Sequence, residues 1–591
     1  MKNKCYSLLP YVIIAVFSAI LINNMFYGFS WTDEGLYLSN VQRYFSGDRF
    51  LIDDWTPTQF YEPLLYPLYA LFIKFNGGTD GVFLFFRVVT IFFQMLASFF
   101  TYSLLSKKYS NFSACIASLI TLCFSRACIN GPSYYTIGFE SFLIALLCLY
   151  AFFALSYSKV FLFISGVFFA AAVLCNPFLV LPYIVFSIIV LIFPIGRKHI
   201  RQIPILWLGT VVSGIIYIVF VFSGDSISDI LSGLHYTYND PSYKHTLILT
   251  IKRLYKMPRL LIFPYILTWL PLIITCLVVK RKDRQLSVKS NLFLHALNTI
   301  VFICNCFLKE DCGSAIMTFF HFTFFETVLF SDLRPKDFLK EYKKELLYFV
   351  FPGLVLAYFF CFASDTGFGV CSIGMAVAAI GEILILEKCL RKLDFCNSKS
   401  LGKIAKACPL FILTAFTFFY RTNLIYRDAQ LPPHLLFLPQ FQKGLEKISS
   451  GPVKGIYTTK ENKAYYDDLL ALLQNMGNDE SQSEKSIFIS GAATWAYTAF
   501  QNLRCSAPTT WRTFFDDIRL QTYYDEFPKN PFPEYVILLD SKNPDNGGRY
   551  EGKNDEENIR DCWIYKKMTA MGYEQQFFSC GIIYSSQTIR K

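Results

Sequence analysis

The sequence predicts an α-helical polytopic membrane protein, with about thirteen transmembrane helices, that ends in a soluble α/β domain. Three observations predict it. Of the 591 residues, 54% are hydrophobic and 18% aromatic while 17% are charged, far from the composition of a soluble globule. Apolar runs long enough to span a bilayer recur along the chain, and Lys and Arg gather in short clusters between them. From about residue 425 the hydropathy drops, and short β-rich runs alternate with helical periodicity.

The elements follow in order. "MKNK" leads into an apolar run from Leu8 to Phe26, which is long enough to span and is followed by no convincing small-x-small cleavage site, so it reads as a retained first helix. The loop 28–81 comes next. Within it "EPLLYPLYALFIKF" (62–75) is too short to span and is expected to lie along the interface. Further spans are expected near 82–105, 113–130, 137–157, 159–175, 177–195, 203–223, 260–279, 291–308, 313–330, 346–363, 368–387 and 405–420. The clusters "SKK", "GRKHIR", "KRKDR", "RPKDFLKEYKK" and "EKCLRK" fall in alternate loops on the side of the N-terminus. Positive charge marks the cytoplasmic side, so the loop 28–81 and the tail after Tyr420 are expected outside a bacterial plasma or inner membrane. "KRLYKMPR" (252–259) breaks the rule on the outer side. The domains read as 1–424 and 425–591, the second built from runs such as "KSIFISG" and "PEYVILLD", with no Walker loop and no GxGxxG.

Composition also excludes. A net charge of +11 would suggest nucleic acid in a soluble chain, but here it is spent in loop clusters, which leaves no nucleic-acid partner. The 18 cysteines lie mostly inside apolar segments without zinc or redox spacing and read as small core residues. Six histidines and no HExxH argue against a His-built metal site. His321 and Glu326, inside the tenth span, read as packing or helix–helix polar contacts.

Candidate chemistry begins with "NNMFYGFSWTDEGLYLSNVQRY", which places Asp33 and Glu34 where the chain leaves the first helix. Water thins at that depth, which suits a general base. An acidic helix start capped by Thr32 or Asp33 fits the same residues. In this loop the acids 33, 34, 48, 53, 54, 62 and 80 outnumber the bases 43, 49 and 74, so its surface is expected to be acidic. Arg87 falls about five residues into the second span, roughly 7 to 8 Å deep. Snorkelling, an ion pair to Asp33 or Glu62, and contact with a lipid phosphate all remain open for it. Arg126, Glu140 at the start of the fourth span, and Lys252, Arg253, Lys256 and Arg259 of the loop 235–259 are further candidates. That basic group fits a phosphate-bearing lipid ligand, or an amphipathic helix on anionic headgroups.

The order of helix one, "TDEGLYL", "FYEPLLYPLYALFIK" and "FRVVTIFFQMLASFFTYSLLSKKY" resembles the start of the membrane-embedded GT-C glycosyltransferases, above all protein O-mannosyltransferases and bacterial aminoarabinose transferases. In that family an Asp, often in an Asp-Glu pair, opens the first outer loop, a His-Pro-Pro-Leu-like stretch follows, and an Arg stands early in the next span. Asp33, the "YEPL" of Tyr61 to Leu64, and Arg87 fill those places, and the likeness is clearest over 8–200. It implies inverting transfer of a sugar from a polyprenyl-phosphate donor to a hydroxyl of a lipid, glycan or protein acceptor at the outer face of the membrane. Asp33 and Glu34 would be catalytic. Glu62, Arg87, Arg126, Glu140, Lys252, Arg253 and Arg259 would bind substrate. No cofactor is certain; family members differ in metal use, which leaves a divalent ion at Asp33 open. A transporter or flippase for lipid-linked sugars and a noncatalytic assembly subunit are the competing classes.

Overall fold

A computed structural model describes residues 2–124, 131–192, 201–223, 225–238, 252, 270–275, 277–278, 288–308, 312–331, 335–363, 368–392, 444–477, 485–490, 493–510, 517–526, 532–539, 562–579 and 581–586. By length and composition, five helices among these are long and apolar enough to cross a membrane: Val82–Leu105, Tyr134–Leu155, Ile203–Phe222, Lys343–Phe362 and Gly369–Lys392. Shorter apolar helices occupy Leu8–Asn24, Asn111–Cys123, Val160–Cys175, Pro177–Ile188, Phe293–Cys306 and Ile316–Phe330. The helix expected over 113–130 stops early, at Cys123, because Phe124 is already extended with ψ 118°. The sequence then runs into Asn130-Gly131-Pro132, which no helix tolerates. The span expected at 405–420, most of 260–279 and the domain boundary at 424/425 lie outside the described residues.

The helices near the N-terminus are α1 (Lys2–Asn24), α2 (Asp33–Phe45), α3 (Glu62–Asn76) and α4 (Val82–Leu105). α4 is inside out relative to a soluble helix. Val88, Phe92, Leu96 and Phe99 are exposed along one stripe, while Arg87, Gln94, Ser98 and Thr101 are buried on the other. Hydrocarbon accepts the first set, and neighbouring helices must satisfy the second. Ser98 does so against Ser118 of α5 (Asn111–Cys123), with Oγ atoms 2.7 Å apart. α3 is amphipathic in the same sense, with Leu64, Leu71 and Phe75 exposed and Leu65, Tyr69 and Ile73 buried.

The tail carries an antiparallel pair, β1 (Leu445–Lys447) and β2 (Tyr457–Thr459), and a five-stranded sheet. Its strands are β3 (Lys485–Ser490), β4 (Leu503–Cys505), β5 (Tyr535–Leu539), β6 (Glu574–Phe578) and β7 (Gly581–Ser585), ordered β4-β3-β5-β7-β6. β3 is parallel to both β4 and β5, and β7 is antiparallel to β5 and β6. The chain leaves β3 for one neighbour and returns on its other side, a switch point whose crevice opens at the carboxyl ends of the strands. In this chain α2 fills that end. The turn Thr494–Thr498 after β3 and the segment 506–510 after β4 both land on α2 and the loop that follows it.

Tail and first loop therefore share one hydrophobic core, in which Phe29, Trp31, Tyr37, Leu38 and Val41 pack with Tyr466, Trp495 and Tyr497. Backbone pairing reinforces it: Tyr457 N–H donates to Phe26 O (2.7 Å) and Gly28 N–H to Tyr457 O (2.8 Å). The seam is tightest at Gly35, where a Cβ would stand 2.5 Å from Thr494 Oγ1 and 2.5 Å from the Trp495 backbone nitrogen. Backbone cannot retreat as a flexible side chain can. Gly35→Ala is expected to loosen the tail from α2 and to cost about 1 to 3 kcal/mol, as overpacking does. Faster limited proteolysis of the tail in the intact protein would report it.

Candidate active site at the first long loop

The helical repeat gives α2 three stripes, each committed to a different neighbour. Glu34, Leu38 and Val41 are buried, and Glu34 meets α4. Gly35, Ser39 and Gln42 face the tail: Ser39 Oγ donates to Thr510 Oγ1 (3.1 Å), and Gln42 Nε2 to Gln501 O (2.9 Å). Asp33, Tyr37 and Asn40 form the third stripe. The sequence expected Thr32 or Asp33 to cap this helix, but Thr32 makes no side-chain cap bond. Ser30 Oγ instead accepts the Asp33 N–H at 3.0 Å, so the cap comes from further upstream.

Arg87 is the anchor of the first stripe. Its Nε donates to Glu34 Oε1 (2.6 Å) and its Nη2 to Glu34 Oε2 (2.7 Å), a bidentate pair. Two of the three remaining N–H groups reach Met25 O (Nη1, 2.5 Å) and Gly28 O (Nη2, 2.7 Å), so one guanidinium ties the end of α1, the connecting turn and α2 to the mouth of α4. Both side chains are almost fully buried. Of the alternatives the sequence left open the ion pair is the one present, but its partner is Glu34 rather than Asp33 or Glu62. With Nε and both terminal nitrogens engaged within the protein, the guanidinium is aimed inward.

Asp33 is half-buried, at the first turn of α2 and beside the clamped Glu34. One turn further along its stripe the Tyr37 ring meets Tyr61 (centroids 6.3 Å apart) and Tyr134 (6.0 Å), and Tyr61 meets Tyr134 (5.9 Å). Tyr134 opens α6 (Tyr134–Leu155), whose N-cap is Ser133. Asn40 closes the stripe and donates its amide to Glu62 Oε1 at 2.8 Å. Seven residues of helix rise separate Asp33 from Asn40, roughly 10 Å. Asp33 and the Asn40–Glu62 pair thus stand at opposite ends of the stripe that carries Tyr37. Tyr61 is fully buried, and its hydroxyl has no hydrogen-bond partner among the described residues.

Burial holds the Glu62 carboxyl well above the usual carboxylate range; nearby Asp54 adds to the rise, and the Asn40 hydrogen bond and Arg43 oppose it. Between the ordinary pKa and the raised one the folded chain keeps a proton that the unfolded chain releases, so stability falls as pH rises through that window. Glu62→Gln is expected to flatten this decline, which melting temperatures across pH would reveal.

The acids of this loop do not make an acidic surface, as the sequence suggested. Asp48, Asp53 and Asp54 are buried with Glu34 and Glu62. Arg43 is their hub, donating to Asp48 Oδ2 (2.7 Å) and to the Asp53 carbonyl, with Asp54 Oδ1 3.6 Å away. Arg49 holds Asp53 from the other side at 3.0 Å. The tail completes the cluster: Arg504 Nε lies 3.3 Å from Asp48, Tyr523 donates to Asp53 O, and Arg519 to Trp55 O. A charge taken out of water must find such partners. Local charge counts could not reveal this, because the covering residues come from the far end of the chain.

The other candidates lie apart or beyond description. Glu140 is buried in α6, and neither carboxyl oxygen has a hydrogen-bond partner among the described residues. Lys252 is exposed. Arg126, Arg253, Lys256 and Arg259 fall outside the described residues. Glu326 accepts from Asn298 and stands 3.0 Å from His295 Nδ1, a helix–helix polar contact. His321 is half-buried. Among the described residues no three His, Cys, Asp or Glu side chains gather into a group fit to hold a metal ion. The carboxylate nearest Asp33 in sequence is taken by Arg87, so no step is derived through a metal. Eleven cysteines, among them Cys115, Cys175 and Cys505, form no disulfide, and of these eleven all but Cys304 are buried.

Sequence reasoning named Tyr61 only as the first residue of "YEPL" and did not single out Tyr37, Asn40, Tyr134 or the tail's Thr494 and Thr510 as site residues. For Tyr37 and Asn40 a signal existed in the spacing of four and seven from Asp33, which puts them on its side of the helix. No local signal marks Thr494 and Thr510.

Comparison with solved structures finds similarity to the crystal structure of ArnT from Cupriavidus metallidurans in the apo state, with 10% sequence identity, 97% of each chain covered and a TM-score of 0.42. No protein-family model and no curated protein matches the chain.

Proposed function

We propose that the protein transfers a sugar from a polyprenyl-phosphate donor to an acceptor hydroxyl at the outer face of the membrane, with inversion at the anomeric carbon. One observation carries the reading: a half-buried carboxylate, Asp33, begins a helix whose next residue is bolted by Arg87 to the mouth of a long apolar helix. The likeness of "TDEGLYL" and its surroundings to membrane-embedded glycosyltransferases supports it, and a donor carried by a lipid explains why the carboxylate belongs at that depth.

In the proposed step Asp33 accepts the acceptor's O–H proton. The oxygen attacks the anomeric carbon, the bond from that carbon to the phosphate oxygen breaks, and the electron pair leaves with polyprenyl phosphate. Glu34 and Arg87 fix Asp33 in place and do not react. Tyr37, Tyr61 and Tyr134 offer ring faces to the sugar, and Glu62 offers a carboxyl to its hydroxyls. Cations to stabilise the leaving phosphate come from the loop around Lys252, Arg253 and Arg259 in this reading, since Arg87 is committed elsewhere. Arg126 and Glu140 remain candidates for substrate contact, and the tail is the element that selects the acceptor.

The test is purified full-length protein in lipid nanodiscs, offered a panel of polyprenyl-phosphate sugars together with an acceptor-rich envelope extract. Mass spectrometry is expected to show free polyprenyl phosphate released from one donor. Silence with every donor would overturn the reading.

A further inference from the structure

A chain of side-chain hydrogen bonds runs from the tail to Glu62. Ser39 Oγ donates to Thr510 Oγ1 (3.1 Å), Thr510 Oγ1 donates to Asn40 Oδ1 (3.0 Å), and Asn40 Nδ2 donates to Glu62 Oε1 (2.8 Å). All four residues are buried. The directions within this chain are mutually consistent. An amide has one accepting end and one donating end, so a hydroxyl that donates to Asn40 Oδ1 leaves Nδ2 to face the carboxyl. Were the amide turned over, its NH2 would point at the Thr510 hydroxyl and its carbonyl at a carboxyl oxygen, an arrangement that needs a different proton placement throughout. The neighbouring tail residue makes a parallel link: Thr56 Oγ1 donates to Asp54 Oδ1 at 2.7 Å and lies 3.2 Å from Thr509 Oγ1. One two-residue step of the tail thus touches the partners of both Glu62 and Asp54.

We propose that Thr510 is a positioning residue for Glu62: by fixing the Asn40 amide, the tail sets the carboxyl that meets a hydroxyl of the transferred sugar. The inference rests on the transfer reading above for the sugar, and on the hydrogen bonds alone for the positioning. The groups that face Glu62 are Asp54 and Tyr61 from its own loop, Arg43 from α2 and Tyr217 from the helix Ile203–Phe222. Thr510→Val, similar in shape and without a hydroxyl, leaves each of them in place. It removes only the lock on Asn40, whose donation favours the charged carboxyl.

The experiment is an isotope-edited infrared titration of the full-length protein in nanodiscs, with the Glu62 carboxyl band assigned by difference from Glu62→Gln. In Thr510→Val the protonation midpoint is expected to rise by roughly half a unit to one unit, as the loss of one hydrogen bond implies. Thr510→Ser is expected to restore it. In the transfer assay Thr510→Val should lower kcat about three- to tenfold, with the alkaline or acid limb assigned to Glu62 moving by the same shift. Thr510→Ala removes the same hydroxyl and serves if Thr510→Val does not fold. An unmoved midpoint in a folded variant overturns the positioning role, and full activity of Glu62→Gln overturns the role of its carboxyl. Absence of transfer by the unaltered protein would fall on the transfer reading, while the midpoint still decides what Thr510 does.

Discussion

Asp33→Asn is expected to lower turnover at least about 100-fold while the melting temperature of the protein stays that of the unaltered chain. General-base catalysis is typically worth 10² to 10⁴ in rate. The amide keeps the shape of the carboxylate but cannot take the acceptor's proton. Folding should be spared for a specific reason: Ser30 Oγ holds this end of α2 through the backbone N–H of residue 33, a bond that the amide variant keeps. The assay is release of polyprenyl phosphate per enzyme, read beside a thermal melt. A variant that melts normally and turns over at a near-normal rate removes Asp33 from the chemistry, and the acid would then count as a helix start only.

Arg87→Met should have the largest effect on stability. The pair with Glu34 is buried on both sides, and removing one partner of such a pair costs about 3 to 5 kcal/mol because the other charge is stranded. Here the loss also strips two carbonyls, of Met25 and Gly28, of their donors. The double variant Arg87→Met/Glu34→Leu is expected to regain part of that loss, since a well-packed apolar replacement of a buried pair is often close to neutral. Arg87→Lys should behave more like Met than like Arg, because a single ammonium cannot reproduce the fork that spans Glu34 and two carbonyls. Thermal melts of the four proteins in one detergent decide the matter. A double variant no more stable than Arg87→Met alone would mean that the two side chains do not act as a pair. Turnover should fall in all three variants, because the turn that presents Asp33 is what the clamp holds.

Much of the helical body was legible because lipid imposes a simple demand: a crossing helix needs about twenty apolar residues and no unsatisfied backbone. The long run at 82–105 therefore appears as the helix Val82–Leu105, residue for residue. The run at 113–130 was less legible: its last third, "SRACIN", carries Ser125, Arg126 and Asn130, and the helix has already ended at Cys123 with Phe124 extended. Asp33 and Glu34 could be singled out from position alone, at the point where the chain leaves an apolar run. Their different fates could not. Adjacent residues on a helix point about 100° apart, so one acid meets Arg87 and the other does not.

By itself the sequence determined the class of the chain, the places where helices run, the α/β character of its last segment and the carboxylate pair at the end of the first helix. Each of these is a local property, written in composition, period or spacing. Only the tertiary structure decided what covers the loop 28–81. Thr510 meets Asn40 across 470 positions and Trp31 meets Asn462 across 431. A sheet whose carboxyl end closes over α2 turns an apparently acidic surface into a buried network around Arg43. Contacts between residues so far apart depend on shape and on which charges must be partnered once water is excluded, and no window of sequence contains both halves.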